Sequence, residues 1–120
     1  EAKVLLLGWS YKAEVGDPRG TPAEPLAETL ISKGIKVGAW DPHIDTDGFP
    51  NGVTVHKEIT DAQDYDMVVL VTAHKACINL DWKNLLYNMR TPLVYDGRRA
   101  LDLTSLELMG WQTHAVGRPV

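Results

Sequence analysis

Short apolar runs rich in β-branched residues alternate with segments of helical periodicity along the whole chain, and this alternation constrains the fold more than any other feature. The runs cover residues 4–7, 35–40, 67–71, 92–95 and 114–116. Strands that are apolar on both faces are typical of a parallel sheet with helices on its two sides. The sequence therefore predicts an α/β three-layer fold with a mainly parallel sheet of five strands, or six if residues 53–55 form another.

The first helical segment lies between the first two strands, where apolar residues recur at helical spacing from Ala23 to Ile31 and Gly34 marks the end. Thr21 and Glu24 match a capping box, with Pro22 at the first helical position. Pro25 removes an amide that the box would use, so the helix is expected to begin up to a turn later.

Two further helices are predicted from the same spacing. One runs from Trp82 to Met89 with Asp81 as its cap, and the other runs from Leu103 to Met109 before Gly110. The segment 61–66, which contains three Asp residues, is predicted to be a short helix or a turn.

Composition bounds the class of protein. A chain of 120 residues with a formal net charge of −4 builds one core, and it lacks the basic surface that nucleic acid or anionic lipid requires. No apolar run approaches the roughly 20 residues of a membrane span. The single cysteine fits a reducing, cytoplasmic setting, and the missing start methionine suggests a piece of a longer chain.

Ligands of parallel sheets bind outside the carboxyl ends of the strands, which selects the loops at residues 9–21, 41–52, 72–77 and 96–101. The first loop has one glycine at its turn, so the usual glycine cradle for a nicotinamide dinucleotide is not expected. The loop instead offers Lys12 and Arg19, and Lys12 is the candidate for binding a diphosphate. The alternative is a solvated surface lysine.

In the fourth loop, Arg98 and Arg99 follow a tight Asp-Gly turn and could clamp a phosphorylated ligand together with Lys12. Alternatively, the two arginines pair with Asp96 and Asp102 in a local salt-bridge network. The sequence leaves both interpretations open.

No catalytic residue or metal site is expected. Cys77 has no base beside it in sequence and is interpreted as a small buried hydrophobe. The four histidines lie in separate segments without ligand spacing. A signalling receiver domain is also excluded, because it requires acidic residues where this chain has segment 9–12.

Five segments together resemble the C-terminal UDP-binding domain of the UDP-glucose/GDP-mannose dehydrogenase family, across essentially the full chain. They are GWSYK (8–12), GDPRGTP (16–22), WDP (40–42), DGRRALD (96–102) and VGR (116–118). The family pattern reads G-x-[AS]-[FY]-K, D-x-R-x-S-P, Y-D-P and D-G-R. Each motif is weak alone, but all of them in order are specific. The resemblance implies a Rossmann-like domain of a larger enzyme.

The family oxidises the 6-hydroxymethyl group of a nucleotide sugar to a carboxylate with NAD, through intermediates on a catalytic cysteine. The resemblance implies that this cysteine and the NAD loop lie in other parts of the parent chain, that Cys77 does not correspond to it, and that the full enzyme is a homo-oligomer. It also implies that the chain alone is inactive, with a UDP-sugar, NAD and the rest of the parent chain as its partners.

Residue by residue, the resemblance implies that Lys12 contacts the diphosphate of the nucleotide sugar and Arg98 helps to hold the UDP-sugar. It implies that Arg19 reaches NAD on the other domain. The family has Glu-Ser after this arginine, whereas this chain has Gly20 and Thr21. The alternative function is a stand-alone Rossmann-like domain that binds another phosphorylated cofactor, such as coenzyme A.

Overall fold

The structure is a computed structural model that describes residues 1–117, so Arg118 of the VGR segment lies outside the described residues. Six strands form one sheet: β1 Lys3–Leu7, β2 Lys36–Trp40, β3 Val53–Val55, β4 Met67–Leu70, β5 Leu93–Asp96 and β6 Gln112–Ala115. The helices are α1 Ala23–Ser32, α2 Lys75–Ile78, α3 Trp82–Tyr87 and α4 Leu103–Met109, with 3₁₀ turns at Thr46–Gly48 and Ile59–Asp61.

All strand pairs are parallel, in the order β3-β2-β1-β4-β5-β6. The chain builds outward from β1 to β3 on one side, and then returns to β4 and builds outward to β6 on the other. This is the doubly wound order, with the reversal between β1 and β4. The predicted α/β parallel sheet is confirmed, and residues 53–55 do form the additional strand.

Strand β1 divides the core into two layers, since its alternate side chains point to opposite faces of the sheet. Leu5 and Leu7 pack with α2, α3 and α4, whereas Val4 and Leu6 pack with α1. Helices therefore cover both faces, which explains why the strands are apolar throughout. No helix in residues 1–117 exceeds ten residues, and none is long and apolar enough to cross a membrane.

Helix α1 starts at Ala23, so the expected delay of up to a turn is wrong. Pro25 is the third helical residue, and the first amides of a helix have no partner within it, so a proline there removes no bond. The Thr21 hydroxyl accepts a hydrogen bond from the Ala23 amide at 3.2 Å. The Thr21 amide donates to the Pro18 carbonyl at 3.4 Å, so neither bond of the predicted capping box between Thr21 and Glu24 forms.

Of the other predicted ends, the start of α3 and the end of α4 are confirmed, whereas α3 ends at Tyr87, two residues before the predicted Met89. Asp81 caps α3 by accepting a hydrogen bond from the Asn84 amide at 3.0 Å, and Gly110 adopts a left-handed conformation after α4. In the acidic segment, the 3₁₀ turn ends at Asp61 and the chain then runs irregularly into β4. Helix α2 was not predicted from the sequence, because four residues are too few to show a helical period.

Candidate functional site

The carboxyl ends of β1 and β4 meet where the strand order reverses, and the loops that follow them are in direct contact. Gly8 has a φ of 92°, and a Cβ at this position would lie 2.4 Å from the Cβ of Thr72. The Thr72 hydroxyl donates a hydrogen bond to the Ser10 carbonyl at 2.7 Å. A glycine is therefore required here both for its backbone conformation and for the close approach of the two loops.

Asp41, the first residue after β2, is the centre of a buried hydrogen-bond network. Its Oδ2 accepts from the Trp9 amide at 2.6 Å and from the amide and hydroxyl of Ser10 at 3.0 and 2.9 Å. Its Oδ1 accepts from the His43 amide at 2.8 Å. Burial opposes ionisation, but hydrogen bonds from these groups and from His74 outweigh it, so the pKa of Asp41 lies below its ordinary value.

His74 is fully buried, and its contacts define its tautomer. The Glu14 amide donates to Nδ1 at 2.9 Å, so Nδ1 carries the lone pair. Nε2 lies 2.9 Å from Asp41 Oδ2 and 3.2 Å from Ser10 Oγ. The geometry therefore assigns the proton to Nε2, which donates it to the Asp41 carboxylate.

Buried side chains of the chain itself therefore occupy the switch point, where a dinucleotide-binding fold holds its ligand. Ser10, Asp41, Thr72 and His74 are each 5% exposed or less. Any ligand at this edge must consequently lie outward of the network, against the exposed ends of the loops.

Lys12 is exposed in the loop after β1. Among residues 1–117, no carboxylate lies within ion-pair distance of its ammonium group, and no side-chain hydrogen bond holds it. Lys12 therefore lies at the surface, and no acidic side chain in residues 1–117 neutralises its charge.

Arg98 is exposed on the turn after β5, and buried Asp96 organises that turn through its backbone. Asp96 accepts from the Arg98 amide at 3.0 Å and from the Leu101 amide at 2.8 Å. Within residues 1–117, neither Arg98 nor Arg99 forms an ion pair with Asp96 or Asp102. The alternative of a local salt-bridge network is therefore wrong. The Arg99 guanidinium contacts the Val116 carbonyl at 3.4 Å.

Lys12 and Arg98 belong to the same edge of the sheet. Strand β4 lies between β1 and β5, so their loops start about 10 Å apart, twice the usual strand spacing. The largest of the described cavities, about 680 Å³, is lined by neither residue but by Arg19 and its neighbours Pro18, Gly20, Thr21, Glu24, Pro25 and Gly48.

Arg19 is held by Asp17, two residues before it. Its Nε and Nη2 donate to the Asp17 carboxylate at 3.0 and 2.8 Å. The Arg19 guanidinium and amide lower the pKa of Asp17 to about 2. In this chain Asp17 therefore supplies the partner carboxylate that Gly20 cannot provide.

Three residues that sequence spacing did not connect also meet at this edge. Glu14 Oε2 lies 3.5 Å from His43 Nε2 and 3.5 Å from His74 Nδ1. Glu14 has a φ of 63°, a left-handed conformation that is uncommon for residues other than glycine. No local signal indicates this cluster, because only the strand order brings the three loops together.

The remaining candidates are core residues. Cys77 is fully buried, as expected for a small hydrophobe, and burial raises the pKa of its thiol to about 12. All four tryptophans are less than 10% exposed. Of the buried side-chain donors in the described residues, the Trp9 indole N–H has no acceptor, and its ring packs on Phe49 at 5.2 Å between centroids.

Comparison with known proteins gives a family match over most of the chain. The model of the UDP-glucose/GDP-mannose dehydrogenase family, UDP binding domain, matches residues 5–103. UDP-glucose 6-dehydrogenase 2 of Arabidopsis thaliana is 27% identical over 98% of this chain. The putative UDP-glucose 6-dehydrogenase YtcA of Bacillus subtilis is 34% identical over 98% of it. The chain spans 30% and 28% of the length of these two relatives.

Solved structures share the fold. The NDP-N-acetyl-D-galactosaminuronic acid dehydrogenase of Methanosarcina mazei superposes with a TM-score of 0.86 at 24% identity, covering 98% of this chain and 25% of that one. The UDP-D-ManNAc dehydrogenase of Pyrococcus horikoshii superposes with a TM-score of 0.80 at 25% identity, covering 98% and 26%. In each case, the match extends over about a quarter of a longer protein.

Proposed function

The chain belongs to the UDP-glucose/GDP-mannose dehydrogenase family, and from this premise we propose that it is the C-terminal UDP-sugar-binding domain of an NAD-dependent nucleotide sugar 6-dehydrogenase. Since it spans about 30% of the curated relatives, the activity belongs to a longer chain of which these 120 residues are one domain. Alone, the domain binds the nucleotide and performs no oxidation.

The single observation that carries this proposal is a pair of uncompensated cations at the carboxyl edge. Lys12 and Arg98 are exposed, they follow β1 and β5, and neither side chain has an ion-pair partner in residues 1–117. Both side chains are long enough to turn towards a ligand placed between their loops, with the ammonium group as a point charge on one side and the planar guanidinium on the other. The UDP diphosphate is therefore proposed to lie across the end of β4.

The buried network gives this clamp a fixed base. Asp41 and Thr72 hold the backbone of Ser10, two residues before Lys12, and Asp96 holds the backbone of Arg98 itself. The loops are thus preorganised while the long side chains remain free to reach the ligand. Anchoring a substrate far from its reacting carbon accelerates a reaction by fixing its orientation. The domain contributes to catalysis in this way without a catalytic residue of its own.

Arg19 is proposed to reach NAD held by another part of the parent chain. The residue is exposed, its guanidinium is already oriented by Asp17, and it borders the largest described cavity. NAD carries a diphosphate, so Arg19 would share its charge between Asp17 and that group.

We also propose a location and an assembly for the parent enzyme. The parent enzyme would act on a UDP-sugar in the cytoplasm, and it would be a homo-oligomer. The buried free thiol of Cys77 is compatible with a reducing compartment.

Calorimetric titration with UDP and with uridine tests the phosphate clamp. UDP is expected to bind more tightly than uridine, because only UDP presents the diphosphate. Lys12→Ala and Arg98→Ala are each expected to weaken UDP binding about tenfold, since each removes a charge-assisted hydrogen bond, and to leave uridine binding unchanged.

Lys33→Ala is the matched control. Lys33 is another exposed lysine, and it lies just before β2, at the opposite edge of the sheet. It is expected to bind UDP as the unmodified chain does. Equal affinity for UDP and uridine would refute the clamp, and so would an equal loss in Lys33→Ala and Lys12→Ala.

A further inference from the structure

Glu14, His43 and His74 bring three ligand atoms to one point of the carboxyl edge. One ligand atom from each residue lies within 4.8 Å of the other two, and Glu14 Oε2 faces both His43 Nε2 and His74 Nδ1. The residues come from three loops, which follow β1, β2 and β4. Two imidazoles and one carboxylate are a ligand set that suits Zn²⁺.

The separations match the edges of a tetrahedral site. Bonds of about 2.1 Å from Zn²⁺ to nitrogen or oxygen place tetrahedral ligands about 3.4 Å apart. The distances from Glu14 Oε2 to the two imidazole nitrogens are both 3.5 Å. Only the two histidines must approach each other, and His43 can move because it is exposed, with its ring 4.4 Å from that of His74 between centroids.

The surrounding groups hold two of the ligands in the form that a metal requires. His74 donates its Nε2 proton to Asp41 at 2.9 Å, which leaves the lone pair on Nδ1, the atom that faces Glu14 and His43. This carboxylate–histidine arrangement is common behind zinc ligands, where it fixes the tautomer and raises basicity. The Lys75 amide donates to Glu14 Oε2 at 3.0 Å and so orients the carboxylate.

One bond must break for a metal to bind. The Glu14 amide now donates to His74 Nδ1 at 2.9 Å, and a metal ion would take the same lone pair. Metal binding therefore requires the Glu14 amide to turn away from Nδ1, which costs this one hydrogen bond.

We propose that Glu14, His43 and His74 bind one Zn²⁺ ion, with Asp41 as the outer carboxylate that positions His74. A water molecule completes the tetrahedron on the exposed side. The ion would tie together the loops that follow β1, β2 and β4, including the loop that carries Lys12. It would also add positive charge to the edge where the proposed diphosphate binds, although the site does not depend on that function.

Titration calorimetry of the untagged 120-residue chain with ZnCl₂, in a non-chelating buffer, tests this proposal. One Zn²⁺ per chain is expected. His43→Ala and Glu14→Gln are each expected to weaken Zn²⁺ affinity at least tenfold, because each removes a direct ligand. The side chains of His43 and Glu14 are 37% and 42% exposed, so neither is part of the core, and circular dichroism should show that both variants fold like the unmodified chain.

His114→Ala is the control, since His114 is exposed on β6 and outside the cluster. It should bind Zn²⁺ like the unmodified chain. Co²⁺ should give the intense visible absorption of tetrahedral coordination with the unmodified chain and lose it with His43→Ala. Failure of the chain to saturate with Zn²⁺, unchanged affinity in His43→Ala, or an equal loss in His114→Ala would each overturn the proposal.

Discussion

At each edge of the sheet an aspartate accepts several hydrogen bonds, but the two aspartates differ in whether a cation is among the donors. At the amino edge, Asp66 accepts from the Lys3 amide and the Thr91 hydroxyl, both at 2.9 Å, and from the Arg90 guanidinium. At the carboxyl edge, Asp41 accepts only from amides, a hydroxyl and the neutral imidazole of His74.

This difference separates a structural edge from the edge where we propose that the nucleotide binds. At the amino edge the aspartate is paired with a cation, because Arg90 forms an ion pair with Asp66; Arg90 also donates to the Glu1 carbonyl and so ties this residue to the start of β4. The carboxyl edge buries a carboxylate without a cation and leaves Lys12 and Arg98 outside it with no described partner.

The largest expected effect is the loss of the buried acceptor. Asp41→Ala should lower the free energy of unfolding by about 3–5 kcal/mol, because it leaves several buried donors unsatisfied. Asp66→Ala should cost about 1–2 kcal/mol, since its partners can turn to water. Urea denaturation of both variants measures the two values. If Asp66→Ala lowers the free energy of unfolding as much as Asp41→Ala does, the two aspartates do not differ in the way described here.

A pair of arginine substitutions should separate stability from binding. Arg90→Ala should lower the free energy of unfolding by about 1 kcal/mol and leave UDP affinity unchanged, since this exposed arginine serves only the amino edge. Arg98→Ala should leave stability within about 0.5 kcal/mol and weaken UDP binding. Denaturation and calorimetry on the same preparations provide both readouts. A stability loss in Arg98→Ala equal to that of Arg90→Ala would show that both edges are structural.

The stability contributed by Arg90 should depend on pH. Hydrogen bonding from Arg90 is the largest cause that holds the pKa of Asp66 well below its ordinary value of 3.8. Such a carboxylate stabilises the fold above its unfolded-state pKa, and this contribution is lost as pH falls towards the folded value. The difference between the unmodified chain and Arg90→Ala should be constant from about pH 5 to 7 and shrink below about pH 4. Urea denaturation across this range tests it; a gap that widens in acid would contradict the pairing.

The smallest effect should appear beside the cavity. Arg19→Ala should raise the pKa of Asp17 from about 2 towards 3.8, because hydrogen bonding from the Arg19 guanidinium is the largest cause of the lowered pKa. The rise should be incomplete, since the amide of residue 19 still donates to the carboxylate at 3.0 Å. Carboxyl carbon shifts in an NMR titration measure this pKa. A value that stays near 2 would mean that the side chain is free of Asp17, unlike Arg90 at the other edge.

Local pattern was sufficient to predict the sheet and most helix ends. The β-branched runs gave the strands, and Asp81 and Gly110 marked the ends of α3 and α4 because caps depend on neighbouring residues. The start of α1 was predicted too late because of Pro25. A proline in the first turn does not delay a helix, since the amides of that turn have no partner within the helix.

The site was predicted unevenly for a similar reason. Lys12 and Arg98 could be placed at one edge because each lies a few residues after a strand, and Arg19 lies further along the same loop as Lys12. The network around Asp41 could not, since Asp41 is separated by 31 residues from Ser10 and 33 from His74. Only the strand order, which sequence periodicity does not specify, makes these loops neighbours.

The filled switch point also bears on how quickly a ligand can come and go. A nucleotide that rests on long, solvated side chains must order them each time it binds, which costs conformational entropy and limits residence time. A deep, dry crevice would retain a ligand for longer than the proposed site on this exposed edge, which favours exchange. Fast exchange at such a site would help an enzyme that must release its product in every catalytic cycle.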